Sequence, residues 1–272
     1  MAARKPKTGR QLGEPPMLEA DGISIRFGGV QALGDVEFSV YESEIVGILG
    51  PNGAGKTTFF NCVSGFYAPD NGVIRLHGED VTAMRPDERA QRGLGRTFQN
   101  VGLVKSFTVL ENLIVAQHKG VGYGILSGML GLPWTLREER KLREKAMVVL
   151  DFMGLMSVKD SPVQGLPYGT LKMVETAAVI ATDPEILMLD EPLAGTGPEE
   201  GAAYCERLKN MRRDLGISIV MIEHHVPLVL GTADYIYVLN FGALLAQGLP
   251  NSIRKNEAVA VAYMGEGATA LA

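Results

Sequence analysis

From Leu18 onward the apolar positions fall into short runs separated by turn residues. Val36-Glu37-Phe38-Ser39-Val40 alternates apolar and polar, the two-residue period of a strand with one buried face, and Leu18-Glu19-Ala20 and Ile23-Ser24-Ile25 open the same region as strands. Ile45 to Leu49 is a continuous apolar run ending in a glycine-rich turn, after which a helix is predicted from Lys56 to about Ser64. Between Thr108 and about Ala181 the period changes. Leu142, Ala146, Val149, Leu150 and Met153 recur at helical spacing on an otherwise charged segment. Apolar strands return at Ile186 to Leu189, Ile217 to Ile222 and Tyr235 to Leu239, alternating with helical segments. That alternation marks a parallel sheet with crossover helices. The expected fold class is therefore α/β, a sheet interrupted by a helical insert. Residues 1–17 hold Pro6, Pro15 and Pro16 and show no period, so they are expected to be a flexible tail.

Composition narrows the function classes. Of 272 residues 46% are hydrophobic, enough for one large domain or a domain with a subdomain. The net charge of −5 gives no general attraction to nucleic acid or acidic lipid. Arg4, Lys5, Lys7 and Arg10 form a local basic exception, expected to be solvated within the tail. Cys62 and Cys205 share no metal-ligand spacing and are expected as buried thiols. No apolar run follows the basic residues as in a secretory signal. The longest charge-free apolar stretch, around Val121 to Trp134, is shorter than the ~20 residues of a spanning helix. The chain is expected to be soluble, with any membrane role supplied by a partner.

Gly50-Pro51-Asn52-Gly53-Ala54-Gly55-Lys56-Thr57-Thr58 fits GxxxxGK[ST], after an apolar strand and before a helix, the context a phosphate-binding loop requires. Glycines let the backbone turn its N–H groups toward phosphate oxygens, and the helix amino terminus adds partial positive charge. Lys56 reaches the outer phosphates, and the Thr57 hydroxyl is placed for Mg2+. A second apolar strand, Ile186 to Leu189, delivers Asp190 and Glu191 to its carboxyl end, where parallel sheets bind ligands. Asp190 is expected to hold Mg2+, mostly through water, and Glu191 to act as general base toward the attacking water. Ile222-Glu223-His224-His225 follows a third strand. His224 is expected to contact the γ-phosphate and hold the water in line, while His225 reads as a capping or surface residue.

In this order, and together with Arg96-Thr97-Phe98-Gln99 and Leu166-Pro167-Tyr168-Gly169-Thr170, these motifs resemble the ATP-binding subunits of ABC transporters. The resemblance covers about Leu18 to Gly265. It is narrower toward the ATPases of branched-chain amino acid importers, carried by Arg26-Phe27-Gly28-Gly29, Gly95 to Gln99, Glu111-Asn112-Leu113, the glycine-rich insert before Trp134 and Ala262-Tyr263-Met264-Gly265.

The resemblance implies a P-loop ABC ATPase core with an antiparallel β subdomain and a helical subdomain at about 100–180. The ATPase domain would span 18–265, between tails at 1–17 and 266–272. ATP and Mg2+ are the implied ligands. Phe27 would stack on adenine, or else be a core phenylalanine at a strand end. Gln99 would touch Mg2+ or the attacking water and lie where the membrane subunit docks. Tyr168 and Gly169 would meet the nucleotide held by a second subunit, head to tail and typically a different chain. Transmembrane permease subunits and, indirectly, a periplasmic solute-binding protein are the other implied partners, at the cytoplasmic face of the plasma membrane; no nucleic acid is implied. The segment 101–155, with Ile125, Leu126, Met129, Leu130 and Trp134, would either contact the permease or pack the helical subdomain.

Two departures weaken the match. The signature usually written LSGGQ is here Leu166-Pro167-Tyr168-Gly169-Thr170, so proline replaces a hydroxyl donor, and Leu193 to Pro198 departs from the usual Gly-Leu-Asn-Pro. Alternatives are the ATPase of a lipid or lipopolysaccharide exporter, and a weakly hydrolysing regulatory half of an ATPase pair. A soluble repair or translation ATPase would need a coiled-coil insertion or a second cassette, and neither fits in 272 residues.

Overall fold

The computed structural model describes residues 8–97, 102–118 and 133–264. In chain order the first elements are α1 (Gly9–Leu12), β1 (Leu18–Phe27), β2 (Val30–Val40), β3 (Ile45–Leu49), α2 (Lys56–Val63), β4 (Asn71–Leu76), β5 (Glu79–Asp80), α3 (Pro86–Gln91) and β6 (Leu94–Arg96). Then come α4 (Val109–Gln117), α5 (Pro133–Phe152), α6 (Tyr168–Ile180) and β7 (Ile186–Asp190). The last are α7 (Pro198–Leu215), β8 (Ser218–Ile222), α8 (Val226–Thr232), β9 (Tyr235–Asn240), β10 (Ala243–Gly248), α9 (Pro250–Arg254) and α10 (Glu257–Met264). The chain divides into two compact units, residues 97–184 with 194–196 forming the second and the rest the first.

The first unit holds two sheets. A six-stranded sheet runs β10-β9-β3-β8-β7-β6, with every pair parallel except β9 and β10. Its central strands β3, β7 and β8 are buried at every position, so they read as unbroken apolar runs rather than alternating ones. A second, antiparallel sheet runs β2-β1-β4-β5, and β2 keeps the alternation read from Val36 to Val40. The expected α/β class with an antiparallel β element is borne out. Phe38, Phe59, Phe60, Ile74 and Ile222 belong to one core cluster that spans both sheets and α2.

The second unit is helical. Thr108 caps α4 through a reciprocal box with Glu111, the Thr–x–x–Glu pairing that satisfies two orphan N–H groups. On α5, Ala146, Val149, Leu150 and Met153 are buried, the stripe the helical spacing picked out. The unit packs α4 against both α5 and α6.

One expectation needs correction. Residues 8–17, placed in a tail, are tied down. Thr8 caps α1, and Arg10 donates from Nε to Glu44 Oε1 at 2.7 Å, lying over the rings of Tyr41 and Tyr235. The reason is Glu44, a carboxylate only 1% exposed. Its burial pushes its pKa up, and the guanidinium offsets part of that penalty. Arg4, Lys5, Lys7 and the segment 266–272 lie outside the described residues. Cys62 and Cys205 are buried free thiols, and burial raises the Cys62 pKa to about 11.

Candidate nucleotide site

The site is built at the carboxyl end of β3. Gly50 has φ of +153°, and a Cβ there would lie 2.3 Å from the Leu239 carbonyl oxygen, so the loop leaves the strand only through glycine. Gly50 N–H donates to the Tyr263 hydroxyl at 2.6 Å, which ties the start of the loop to α10. Gly55 caps α2 at φ +97° and, as glycine, offers the first-turn N–H groups no side-chain acceptor of its own. The Lys56 ammonium, almost buried, donates to the carbonyls of Gly50 at 2.7 Å and Pro51 at 3.0 Å. Its charge thus lies within the loop's own curve.

A cleft of about 400 Å³, the size range of small-molecule sites, is lined by Asn52 to Thr58 on one side. Glu191 and His224 line it from the ends of β7 and β8, and Val30, Gln31, Ala32, Phe241 and Gly242 complete it. Glu191 Oε1 and His224 Nε2 are 2.9 Å apart, within hydrogen-bonding distance. Glu191 takes φ of +49°, rare for a non-glycine residue, while its N–H is held by the Ile222 carbonyl at 3.0 Å. Such a conformation costs on the order of 1 kcal/mol and sets the direction in which the carboxylate leaves the strand.

Behind this pair are further charged groups, to two of which, Arg96 and Glu223, the sequence assigns no chemical role. Asp190 is buried, and its Oδ2 accepts Arg96 Nη2 at 3.1 Å. Arg96 also donates to Asn61 Oδ1 at 2.8 Å and to the Ser64 hydroxyl, both on or beside α2. Burial lowers the Arg96 pKa, opposed by Asp190. Glu223 is also buried. Its Oε1 accepts Leu193 N–H at 2.6 Å and its Oε2 accepts His224 N–H at 3.2 Å, so it fixes the backbone on both sides of the Glu191–His224 pair. Burial raises its pKa, with the two backbone N–H groups acting the other way. An arginine ending a strand and a glutamate beside a histidine carry no sequence signal of these roles. Only the Arg96-Thr97-Phe98-Gln99 match pointed near the first.

The expected residues divide as follows. Asn52, Gly53, Ala54, Gly55, Lys56, Thr57, Thr58, Glu191 and His224 meet at the cleft, with Asp190 buried at the end of the same strand. Gly50 and Pro51 form the loop's root. Phe27 ends β1, half exposed, edge-on to Tyr67 with centroids 5.3 Å apart; it pairs across the hairpin with the cleft-lining Val30 but does not line the cleft itself. His225 is exposed and precedes α8 without capping it through its side chain. Tyr168 and Gly169 begin α6 in the second unit, after Pro167 as N-cap residue at φ −54° and ψ 147°. Gln99, Ile125, Leu126, Met129, Leu130 and the Trp134 side chain lie outside the described residues.

The donor set suits Mg2+. Among the described residues no three His, Cys, Asp or Glu side chains form a cage, but Mg2+ keeps waters and takes phosphate oxygens, so one hydroxyl and one carboxylate suffice from the protein.

The family profile described as ABC transporter matches residues 33–194. The high-affinity branched-chain amino acid transport ATP-binding protein LivG of Escherichia coli is 42% identical over 251 residues, 92% of this chain and 98% of LivG. BraF of Pseudomonas aeruginosa, of the same description, is also 42% identical over 251 residues with the same coverage. Among solved structures, the ADP conformation of MJ1267, an ATP-binding cassette of an ABC transporter, superposes with a TM-score of 0.81 at 31% identity, covering 92% of this chain and 99% of MJ1267. With its phosphate loop, its strand-end carboxylates and these relatives, the chain belongs to the ABC transporter family, as one of its ATP-hydrolysing transport ATPases.

Proposed function

We propose that the chain powers import of branched-chain or related amino acids, or their amides, through a transmembrane permease supplied by partner subunits. The relatives that carry this reading, LivG and BraF, are described as branched-chain amino acid transport proteins. Among the described residues no helix is long and apolar enough to cross a membrane, so contact with the solute would belong to partner chains. The chain would act peripherally at the cytoplasmic face, pairing head to tail with a second ATP-binding subunit.

The observation that best supports hydrolysis at this cleft is the Glu191–His224 contact facing the phosphate loop. In the proposed reaction Lys56 moves its ammonium from the loop carbonyls to the outer phosphates. Thr57 and Asp190 would hold Mg2+, which supplies charge neutralisation on the phosphates. A water beside Glu191 gives its proton to the carboxylate as its oxygen attacks the γ-phosphorus, while the bond from that phosphorus to the β–γ bridging oxygen breaks and ADP leaves with the electron pair. His224, whose backbone N–H is bonded to Glu223, would contact the γ-phosphate and hold the water in line. Gln99, from the sequence match, would complete the water's environment. Phe27 would flank the base. The first-turn N–H groups of α6, at Tyr168 and Gly169, would meet the phosphates of the partner's nucleotide.

Glu191→Gln tests the assignment. The amide keeps the shape but accepts no proton, and general-base assistance is worth roughly a hundredfold or more. In the assembled transporter the variant should bind ATP as the wild type does, lose nearly all turnover and accumulate as a closed pair. An unchanged hydrolysis rate would remove Glu191 from the role of base.

A further inference from the structure

The β9–β10 hairpin carries a residue that its own geometry disfavours. Its turn has two central residues, Phe241 at φ +47° and Gly242 at φ +77°, between the paired Asn240 and Ala243. Two successive positive φ values make a type I′ turn, in which asparagine, aspartate or glycine normally takes the first position. A bulky aromatic in the left-handed region gains nothing locally. Phe241 gains nothing from burial either. At 89% exposure it is the most exposed large apolar side chain among the described residues.

The turn is nonetheless held firmly in one place. Gly242 N–H donates to the Ala54 carbonyl of the phosphate loop at 3.1 Å, and Gly242 C=O accepts Gly34 N–H of β2 at 2.8 Å. A Cβ at Gly242 would meet the Ala32 carbonyl oxygen at 2.5 Å, so the turn touches β2 closely. Phe241 is thereby presented at the rim of the nucleotide cleft. With Val30, itself 70% exposed, it gives the cleft an apolar wall. Two large apolar side chains left in water on a cleft whose other wall is built for phosphates need an apolar ligand surface. The phosphates fix one end of the nucleotide at Lys56, and the nucleoside is the part of that molecule with such a surface.

We propose that Phe241, together with Val30, packs on the nucleoside of the bound nucleotide and is a determinant of nucleoside affinity from the β9–β10 hairpin. The inference rests on the phosphate-loop cleft being the nucleotide site. Burial of the exposed ring on binding offsets the turn's conformational cost, and an aromatic face tolerates any base, so the contact adds affinity more than selectivity.

The test uses the full chain and direct binding titrations of ADP and of pyrophosphate. Phe241→Asn places the residue a type I′ turn prefers, so the hairpin should fold at least as well, seen as an unchanged or raised melting temperature. ADP affinity should fall about fivefold or more, the range of stacking on an aromatic side chain, while pyrophosphate affinity stays as in the wild type. Phe241→Tyr, which keeps the ring, should bind ADP like the wild type. ADP binding by Phe241→Asn within twofold of the wild type, equal weakening of ADP and pyrophosphate, or a Tyr variant as weak as the Asn variant would each overturn the inference while leaving the nucleotide site intact. The reading of the cleft fails separately, and the inference with it, if Lys56→Ala weakens neither ligand.

Discussion

Replacing Arg96 by methionine probes how much of the site's framework depends on one buried ion pair. The side chains of Arg96 and Asp190 are 7% and 3% exposed, and the guanidinium reaches Asn61, Ser64 and Asp190 at once. Methionine fills similar volume but returns no donor. The Asp190 carboxylate then loses this guanidinium while staying buried, and breaking one side of a buried pair costs about 3–5 kcal/mol. For a chain of this size class each kcal/mol moves the melting temperature by about 2–4 °C, so the variant should melt about 6–20 °C lower. Arg96→Lys keeps the charge without the planar fork and should fall between, because a lysine reaches fewer of the three acceptors. The cleaner measure is a double-mutant cycle with Asp190→Asn. Removing both charges should recover part of the loss, giving a coupling energy beyond the ~0.5 kcal/mol scatter of independent sites. Thermal melting of the four proteins at fixed salt, without nucleotide, provides the numbers. A loss under about 1 kcal/mol for Arg96→Met, or strict additivity in the cycle, would refute the view that this pair holds β6, β7 and α2 together.

Two further predictions follow from neighbouring groups. Burial raises the Glu223 pKa above its ordinary value, so folding favours its protonated form, and its contribution to stability declines as pH rises through and above about 4.3. Glu223→Gln removes that titration, so its stability relative to wild type should improve as pH rises from about 4.3, the ordinary glutamate value, through the raised folded value and then level off; a pH-independent difference in urea melts counts against it. Pro167→Ser restores a hydroxyl at the N-cap of α6. One hydrogen bond to a charged group is worth about 1.5–3 kcal/mol, so turnover in the proposed pair with a second ATP-binding subunit should rise, up to tenfold or more. Unchanged turnover with an intact melting curve would show that the α6 backbone N–H groups suffice.

The sheet and the phosphate loop were legible because each rests on a local pattern. Ile45 to Leu49, Ile186 to Leu189 and Tyr235 to Leu239 are apolar runs bounded by turns, and glycine placement in Gly50 to Gly55 encodes the loop's backbone. Asp190, Glu191 and His224 follow strand ends, so their meeting is a consequence of parallel topology. The remaining groups are fixed by distance in three dimensions. Arg10 looked like part of a solvated tail because nothing in residues 1–17 announces Glu44, 34 positions away, as a buried carboxylate. Arg96 meets Asp190 across 94 positions, and Arg89 is fully buried by giving its donors to the carbonyls of Cys62, Val63, Thr82 and Met84. Periodicity reports apolar faces and is silent on where a charge finds its partner. Phe241 escaped notice for a different reason: Asn-Phe-Gly does suggest a turn, but the turn's contact with Ala54 is a tertiary fact.

The bond from Gly50 N–H to the Tyr263 hydroxyl has a consequence in time. The two residues are 213 positions apart, and β8 and β9, the hydrogen-bonded neighbours of β3 on either side, are also made late. At about 5–20 residues per second a ribosome needs roughly 10–40 s to go from one to the other. For most of that interval, until β8 and then β9 are made, the chain carries the whole GxxxxGK[ST] segment without its flanking strands, and to the end of it without its anchoring tyrosine. A nascent chain halted before Tyr263 therefore displays the motif without the finished loop, so emergence of the motif and arrival of its anchor are separate events in synthesis.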